Sequence, residues 1–429
     1  MAGFFVFVLA VVVGIHLYLW KRLVRDPMRP GPGRKAGGFV ILFLAILLPG
    51  NLILSRAADF HGLAWPGYLW IALMFYLLVV LVALEIPRLV VSLIWRVTGR
   101  DRPGETVHAA RSEALPQADH RPPAGESTDN ASDADGGAEG TAPVNGGEPE
   151  PGGVERRLLL ARGAAIFAGL TAASVTGYGV KTALGGPRLD RAQIPVAKLP
   201  RAMDGTRLAV VSDIHLGPLT GPHHLSRIVE MINSVNADVV CIVGDLVDGS
   251  VAELGRYAAG LRDIRSRHGA YFVTGNHEYY SGFQQWVDEV ARLGVRPLRN
   301  ERLEIVTRGG AFDLAGVNDP GGADVGDGPD FAAALAGRDT TRPVVLMAHQ
   351  PVVAHDAARY GVELQVSGHT HGGQMVPFNY LVGLQQPVVS GYGNVDGVPV
   401  YVTDGAGFWG PPVRVGVPPQ VTLIEMRTP

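Results

Sequence analysis

Three runs in the first quarter of the chain hold almost no polar side chain, and nothing else in the sequence limits the fold so strongly. They are residues 3–20, "GFFVFVLAVVVGIHLYLW", residues 37–54, "GGFVILFLAILLPGNLIL", and residues 67–84, "GYLWIALMFYLLVVLVAL". A helix of roughly 20 apolar residues crosses the hydrocarbon core of a bilayer. A helix in a soluble protein keeps a polar face, and these runs have none, so three membrane spans are expected within residues 1–100. The first run lacks the basic flank and small-residue cleavage site of a removable signal peptide. A fourth run, 163–180, is uncharged but rich in Gly and Ala, and marks a further anchor within 156–182. Between 86 and 99, basic and apolar residues alternate, a pattern suited to the membrane interface.

Basic residues orient the spans. Lys21, Arg22, Arg25, Arg29, Arg34 and Lys35 crowd the first loop and place it in the cytoplasm. The second loop has only Arg56, offset by Asp59. Arg88, Arg96, Arg100 and Arg102 return the chain to the cytoplasm, and Arg156, Arg157 and Arg162 precede the fourth run. If that run spans, the C-terminal half lies outside the cytoplasm, in a multi-pass protein of the cell membrane; Lys181, Arg188 and Arg191 beyond it argue mildly the other way. The paired arginine of "ERRLLLARGAA" also permits a second reading, a twin-arginine export signal, although the usual flanking Ser and Phe are absent.

Residues 101–155 are rich in Gly, Pro, Ala, Asp and Glu and too poor in apolar residues to pack, so a disordered linker is expected there. The single cysteine, Cys241, rules out an intrachain disulfide and sits in "VVCIV", where a buried core position is the simplest reading. A net charge of −3 gives no support to a nucleic-acid partner.

From about residue 200 to 429 the pattern changes. Short apolar runs, "RLAVVSD", "ADVVCIVGD", "GAYFVTGNH", "RPVVLMAH" and "VELQVSGH", alternate with amphipathic stretches such as "GPHHLSRIVEMINSVN" and "FQQWVDEVARLG". This predicts a layered α/β domain with sheets flanked by helices, preceded by the α-helical membrane segments. Each run ends in a polar cluster: Asp213 and His215, Asp245, Asn276 and His277, His349, then His369 and His371. Functional groups collect beyond the C-terminal ends of strands in α/β sheets. A lone His or Asp there would be an ordinary turn residue; five such endings together point to a site. Asp, Asn and His without Cys supply oxygen and nitrogen donors that suit Mn, Fe, Zn, Ni or Mg. They are numerous enough for two divalent ions, which when about 3.5–4 Å apart can clamp a phosphate between them.

The order D-x-H, G-D-x-x-D, G-N-H-E, H, G-H-x-H resembles the calcineurin-like metallophosphoesterase superfamily over about residues 205–427. The wording "SDIHLG", "GDLVDG", "GNHEYYSG", "GVNDP", "AHQP" and "SGHTHGGQ" is similar to a membrane-associated bacterial branch, the YkuE-like phosphoesterases; Gln420 departs from the Glu expected in the closing block. The resemblance implies a metallophosphoesterase sandwich in which Asp213, His215 and His371 hold one ion, Asn276, His349 and His369 the other, and Asp245 bridges them. It implies hydrolysis of a phosphoester by a hydroxide between the ions, with His277 donating a proton to the leaving oxygen and Asp248 orienting His277. Glu278 is expected at a helix start in a structural role. His223 and His224 are read as solvent-exposed, His355 as lying on a polar helix face and Asp319 as a turn residue. Arg414 is read either as a contact for an anionic substrate or as a surface residue. An extended backbone through 369–371 would start both histidines on one side.

The membrane tether brings the site near lipid and favours a lipid-linked phosphoester. A pyrophosphate of a nucleotide-linked lipid, such as UDP-2,3-diacylglucosamine, is the alternative. A non-catalytic metal-stabilised sensor or scaffold would be expected to lack a donor or the acid, and none is missing. Transport through the spans is disfavoured, because the first three runs contain one mid-span ionisable group, His16.

Overall fold

A computed structural model describes residues 2–57, 64–97, 151–221, 223–307 and 309–429. The expected linker lies, up to residue 150, outside the described residues. Four helices come first: α1 (Ala2–Leu19), α2 (Pro32–Ala57), α3 (Ala64–Val97) and α4 (Pro151–Leu184). They contain stretches long and apolar enough to cross a membrane: Val6–Arg25, Pro32–Asn51, Ala64–Pro87 and Arg157–Leu184. A single π-helical turn, Trp20–Arg25, continues α1. The interfacial stretch expected at 86–99 is continuous with α3 as far as Val97, passing through Pro87. Polar contacts hold the bundle. Arg22 pairs with Glu85 at 2.6 Å. Trp70 Nε1 donates to His16 Nε2 at 3.1 Å while His16 Nδ1 lies 2.8 Å from Val12 O. Those two contacts give the mid-span histidine of the apolar runs a structural use.

The α/β part has two six-stranded sheets. The first is built from β1 (Arg188–Pro195), β2 (Thr206–Val211), β3 (Val239–Val243), β4 (Ala270–Val273), β5 (Arg296–Pro297) and β12 (Gln420–Arg427), in the order β1-β12-β2-β3-β4-β5. The second uses β6 (Glu301–Thr307), β7 (Gly310–Gly316), β8 (Val344–Met347), β9 (Leu364–Ser367), β10 (Gly391–Val395) and β11 (Val398–Val402), in the order β10-β11-β9-β8-β7-β6. All five apolar runs of the sequence are strands: β2, β3, β4, β8 and β9. They are buried on both faces because helices cover one side of each sheet and the other sheet covers the second side. Alternation shows this directly. Leu208 and Val210 of β2 join the core between the sheets, while Ala209 and Val211 face the helices. Cys241 is fully buried in the same inter-sheet core, and burial pushes its thiol up to about 12. The helices α5 (His223–Ser234), α6 (Val251–Ala258) and α8 (Phe283–Arg292) pack on the outer face of the first sheet around Trp286, and a further apolar cluster covers the second. The layers are therefore helix–sheet–sheet–helix.

The first sheet begins earlier than the sequence pattern suggests. β1 starts at Arg188, directly after α4, and pairs in parallel with β12 from Arg188↔Gln420 to Pro195↔Arg427. It is an edge strand in which Arg188, Asp190, Arg191 and Gln193 interrupt the apolar residues, so no continuous apolar run marks it. The helix α4 is also joined to the far end of the domain: Arg414 N donates to Gly179 O at 3.0 Å, and Met375 and Val413 share a buried cluster with residues of the helical bundle.

Candidate metal centre

The parallel strands of both sheets deliver their C-terminal ends to one place. Asp213 and His215 follow β2, Asp245 follows β3, and Asn276 opens α7 (Asn276–Ser281) after β4. His349 follows β8, and His369 and His371 follow β9. Two compact groups result. In the first, Asp213, His215 and His371 gather potential ligand atoms within 4.8 Å of one another; in the second, Asp245, His349 and His369 do the same. The groups meet at Asp245, whose Oδ2 is 3.1 Å from His349 Nε2 and 3.9 Å from His215 Nε2. Asn276 lies beside Asp245 and His369 on the wall of one cavity. The structure thus brings together all seven expected donors.

Five of the seven, Asp213, His215, Asp245, His369 and His371, have φ between 47° and 72°. Left-handed backbone costs a residue with a side chain about 1–2 kcal/mol, and such residues concentrate where function overrides local preference. The extended backbone expected through 369–371 is therefore not found. Both histidines sit in left-handed turns, with Thr370 right-handed helical between them. Backbone amides also serve the neighbouring carboxylates. His369 N donates to Asp213 Oδ1 and Oδ2 at 3.1 and 3.0 Å, and His277 N donates to Asp245 Oδ1 at 2.9 Å. Such close approach needs glycine at two points. A Cβ on Gly368 would strike Ser212 Oγ and the Asp213 carboxylate, and one on Gly275 would strike the Asp245 carboxylate and lie 2.5 Å from Asp245 N.

The donor chemistry fits divalent ions. His349 Nδ1 lies 2.7 Å from Val243 O, which leaves Nε2 facing the Asp245 carboxylate at 3.1 Å. Either a proton on Nε2 or a metal ion in its place satisfies this contact. Among the described residues, His349 Nε2 and Asn276 Oδ1 are buried and make no hydrogen bond. The Nδ1–H to carbonyl contact is the usual way a protein fixes the tautomer of a metal-binding histidine. Burial works against charge on both groups. Even so, His349 holds Asp245 well below the usual carboxylate range, and Asp245 holds His349 well above the usual imidazole range. Burial pushes His369 down to about 3, helped by His349. Burial, His215 and Arg414 together keep His371 well below its usual range. Both rings therefore stay neutral, the state a ligand needs.

His277 and Asp248 form the remaining part. Asp248 Oδ1 is 2.7 Å from His277 Nδ1 and 2.8 Å from His215 Nδ1, so one carboxylate oxygen fixes both rings. Burial would raise Asp248, but His215 and His277 bring it down to about 2. Burial likewise opposes charge on His215, and Asp248 with Asp245 and Asp213 raises it to about 9. His277 is partly accessible and stands edge-on to Tyr280 and Trp409 at 5.6 and 6.4 Å.

The residues read as bystanders divide. Glu278 is structural, as expected: its carboxylate accepts from Asp245 N, Leu246 N and Gly275 N at 3.0, 2.7 and 2.6 Å. His355 is exposed and pairs with Asp396. Asp319 does cap a turn, accepting from Gly321 N at 2.7 Å, and is fully buried against Gln350. His224 is not exposed; it is 3% accessible with Nε2 3.0 Å from Ile214 O, because the first turn of α5 packs under the Asp213–His215 turn. Arg414 is neither at the surface nor open to substrate. It is fully buried, donating to Gly407 O at 2.9 Å and Asp404 O at 2.8 Å, with Nη2 3.1 Å from His371 Nδ1. Sequence reasoning missed two supporting residues. Ser212 donates to the Asp213 carboxylate. Gln374 clamps the Trp409 backbone through its side chain, accepting from Trp409 N and donating to Trp409 O, both at 2.9 Å. Both stand inside the motif blocks, which was the available signal.

The family model described as calcineurin-like phosphoesterase matches residues 206–373. An Aquifex aeolicus protein named an uncharacterised metallophosphoesterase is 32% identical over 253 residues, covering 56% of this chain and 92% of its own length. The chain belongs to this metallophosphoesterase family. YkuE of Bacillus subtilis, likewise named an uncharacterised metallophosphoesterase, is 25% identical over 282 residues, 61% of this chain and 95% of YkuE. A zebrafish relative named a transmembrane protein with metallophosphoesterase domain is 38% identical over 272 residues, 61% of this chain and 62% of that protein. The chain thus spans about three-fifths of the length of such relatives. Within the metallophosphoesterase domain, the matched region holds seven of the nine site residues in one continuous stretch up to His349, together with the closing His369 and His371.

Proposed function

We propose that this chain is a membrane-anchored phosphoesterase that hydrolyses a phosphoester at a two-metal centre. The observation that carries the reading is the pair of N/O donor groups meeting at Asp245, with His349 Nε2 and Asn276 Oδ1 buried and without a hydrogen-bond partner. Asp213, His215 and His371 would hold one divalent ion, Asn276, His349 and His369 the other, and Asp245 both. Such ions would supply a water-derived nucleophile near neutral pH and positive charge for the phosphate oxygens.

The chain's own groups supply the rest. Asp248 accepts the Nδ1 proton of His277 and leaves Nε2 to exchange a proton with the leaving oxygen. The backbone amides of His369 and His277 hold the Asp213 and Asp245 carboxylates at fixed angles, so the donors need little rearrangement on binding. Four helices suited to membrane spans and the relatives named as transmembrane proteins support a multi-pass membrane protein. The basic first loop and basic flank of α4 favour a metallophosphoesterase domain outside the cytoplasm.

The test uses the full chain loaded with Mn²⁺ and compares 4-nitrophenyl phosphate, bis(4-nitrophenyl) phosphate and a nucleoside pyrophosphate ester. Hydrolysis of at least one class, lost in Asp245→Asn and reduced most for poor leaving groups in His277→Ala, is expected. A parent that binds two ions and is inert on all three classes would contradict the proposal. Preference for the pyrophosphate would favour the nucleotide-linked lipid reading.

A further inference from the structure

The space over the histidines does not end within the α/β layers. A cavity of about 600 Å³ has Asp245, Asn276, His277, His369 and His371 at one end, and its size falls within the roughly 300–1,000 Å³ of ligand sites. Its other end is walled by helices suited to the bilayer: Ile15 of α1 and Ile71, Met74, Phe75 and Leu78 of α3. The α3 residues recur three and four apart and so form one stripe. The stripe runs about 10 Å along the helix at 1.5 Å per residue. Phe378, Leu381 and Val382 add a third side, and Phe75 meets Phe378 edge-on at 6.4 Å, joining helix to loop.

The wall is apolar, and protein does not fully cover it. Ile15, Ile71, Phe75 and Leu78 are half-buried, and Phe378 and Leu381 are 41% and 58% exposed. A small water-soluble phosphoester would fill only the polar end and leave this surface wet. An amphiphile would place phosphate at the histidines and hydrocarbon along α3.

We propose that this cavity binds the hydrocarbon chain of a membrane lipid whose phosphoester lies at the candidate metal centre. The inference rests on the phosphoesterase reading above and adds the class of substrate and the residues that hold its chain.

The experiment takes the full chain with Mn²⁺ in dodecyl maltoside micelles and a series of 4-nitrophenyl alkyl phosphodiesters, from methyl to hexadecyl, all with one leaving group. Water enters at phosphorus, and 4-nitrophenolate and the alkyl phosphate are released. Each methylene that enters the cavity should raise kcat/KM by up to about fourfold, the equivalent of its burial, until the chain outgrows the space. Met74→Trp and Leu78→Trp, which fill the cavity, should lower the dodecyl-to-methyl ratio of kcat/KM at least tenfold. Leu84→Trp, on the opposite, exposed face of α3, should leave that ratio as in the parent. An equal ratio in all three variants would overturn the proposal, since partition into micelles alone would explain the chain-length effect.

A second readout needs no turnover. A dodecyl phosphonate with a terminal diazirine should label α1 and α3 peptides around Ile15 and Met74–Leu78, in competition with dodecyl phosphate. Labelling spread equally over the exposed face of α2 would also overturn the assignment. If the methyl ester is cleaved while chain length has no effect and labelling is scattered, only the cavity proposal fails. If no ester is cleaved, the phosphoesterase reading fails, and this inference fails with it.

Discussion

Gly275→Ala adds one methyl group at the point where the two donor groups meet, and its effect can be worked from distances. The new Cβ would overlap the Asp245 carboxylate and stand 2.5 Å from Asp245 N, where ordinary contact begins at 3.4 Å. Asp245 N is backbone and cannot swing aside. It also donates to Glu278 at 3.0 Å, as does the Gly275 amide at 2.6 Å, so the two segments share one anchor. Relief requires Asp245 to retreat by about 0.9 Å. Overpacking of this kind costs about 1–3 kcal/mol, and a domain of 150–250 residues loses about 2–4 °C of Tm for each kcal/mol. Misplacement near 1 Å at a reacting centre costs about a hundredfold in rate. The variant should therefore unfold several degrees below the parent, need more Mn²⁺ to saturate, and lose about two orders of magnitude in kcat/KM on 4-nitrophenyl phosphate. Gly260→Ala is the control, since its Cβ would meet only the Leu225 side chain at 3.3 Å. If Gly275→Ala binds Mn²⁺ like the parent and keeps kcat/KM within threefold, Asp245 is not the shared, rigid centre described above.

Three further predictions concern the supporting residues. Asp248→Asn keeps an acceptor for His277 and His215 but removes the charge; kcat should fall about 10–100-fold with little change in KM, read by steady-state kinetics at saturating Mn²⁺. Arg414→Lys cannot reproduce a planar set of donors to Gly407 O and Asp404 O, so buried carbonyls lose partners and stability should fall by about 3 kcal/mol in thermal unfolding. Burial pushes His224 down to about 4 from 6.5. Its neutral form therefore stabilises the fold fully above pH 6.5, and that contribution, up to about 3 kcal/mol, is lost as pH falls from 6.5 to 4. His224→Gln, which can still donate to Ile214 O, should flatten the acid limb of a stability–pH curve by about one proton.

Much of the architecture was legible because its core strands are buried on both faces. β2, β3, β4, β8 and β9 read as continuous apolar runs, and each ends in the polar residue that it delivers to the site. β1 was not legible: polar residues interrupt this edge strand so that no apolar run stands out, and only its pairing with β12 shows that the sheet starts at Arg188. The donor list was legible from residue types, but the backbone that aims the donors was not. Composition says nothing of φ, and the left-handed turns at Asp213, His215, Asp245, His369 and His371 run against local preference. His224 and Arg414 were misplaced for a related reason. Polar side chains count as exposed until tertiary contacts show them satisfied, here by the carbonyls of Ile214, Gly407 and Asp404. The cavity wall on α3 was hidden in another way, since a span that is apolar all round gives no sign of which stripe faces protein.

The central claim is that two ions share Asp245. The direct measurement is metal content per chain, by elemental analysis of the purified full chain after Mn²⁺ loading and gel filtration, beside Asp245→Asn and His349→Ala. Two ions per chain in the parent, about one in His349→Ala and fewer than one in Asp245→Asn are predicted. One ion in the parent, or two retained in Asp245→Asn, would contradict a shared centre.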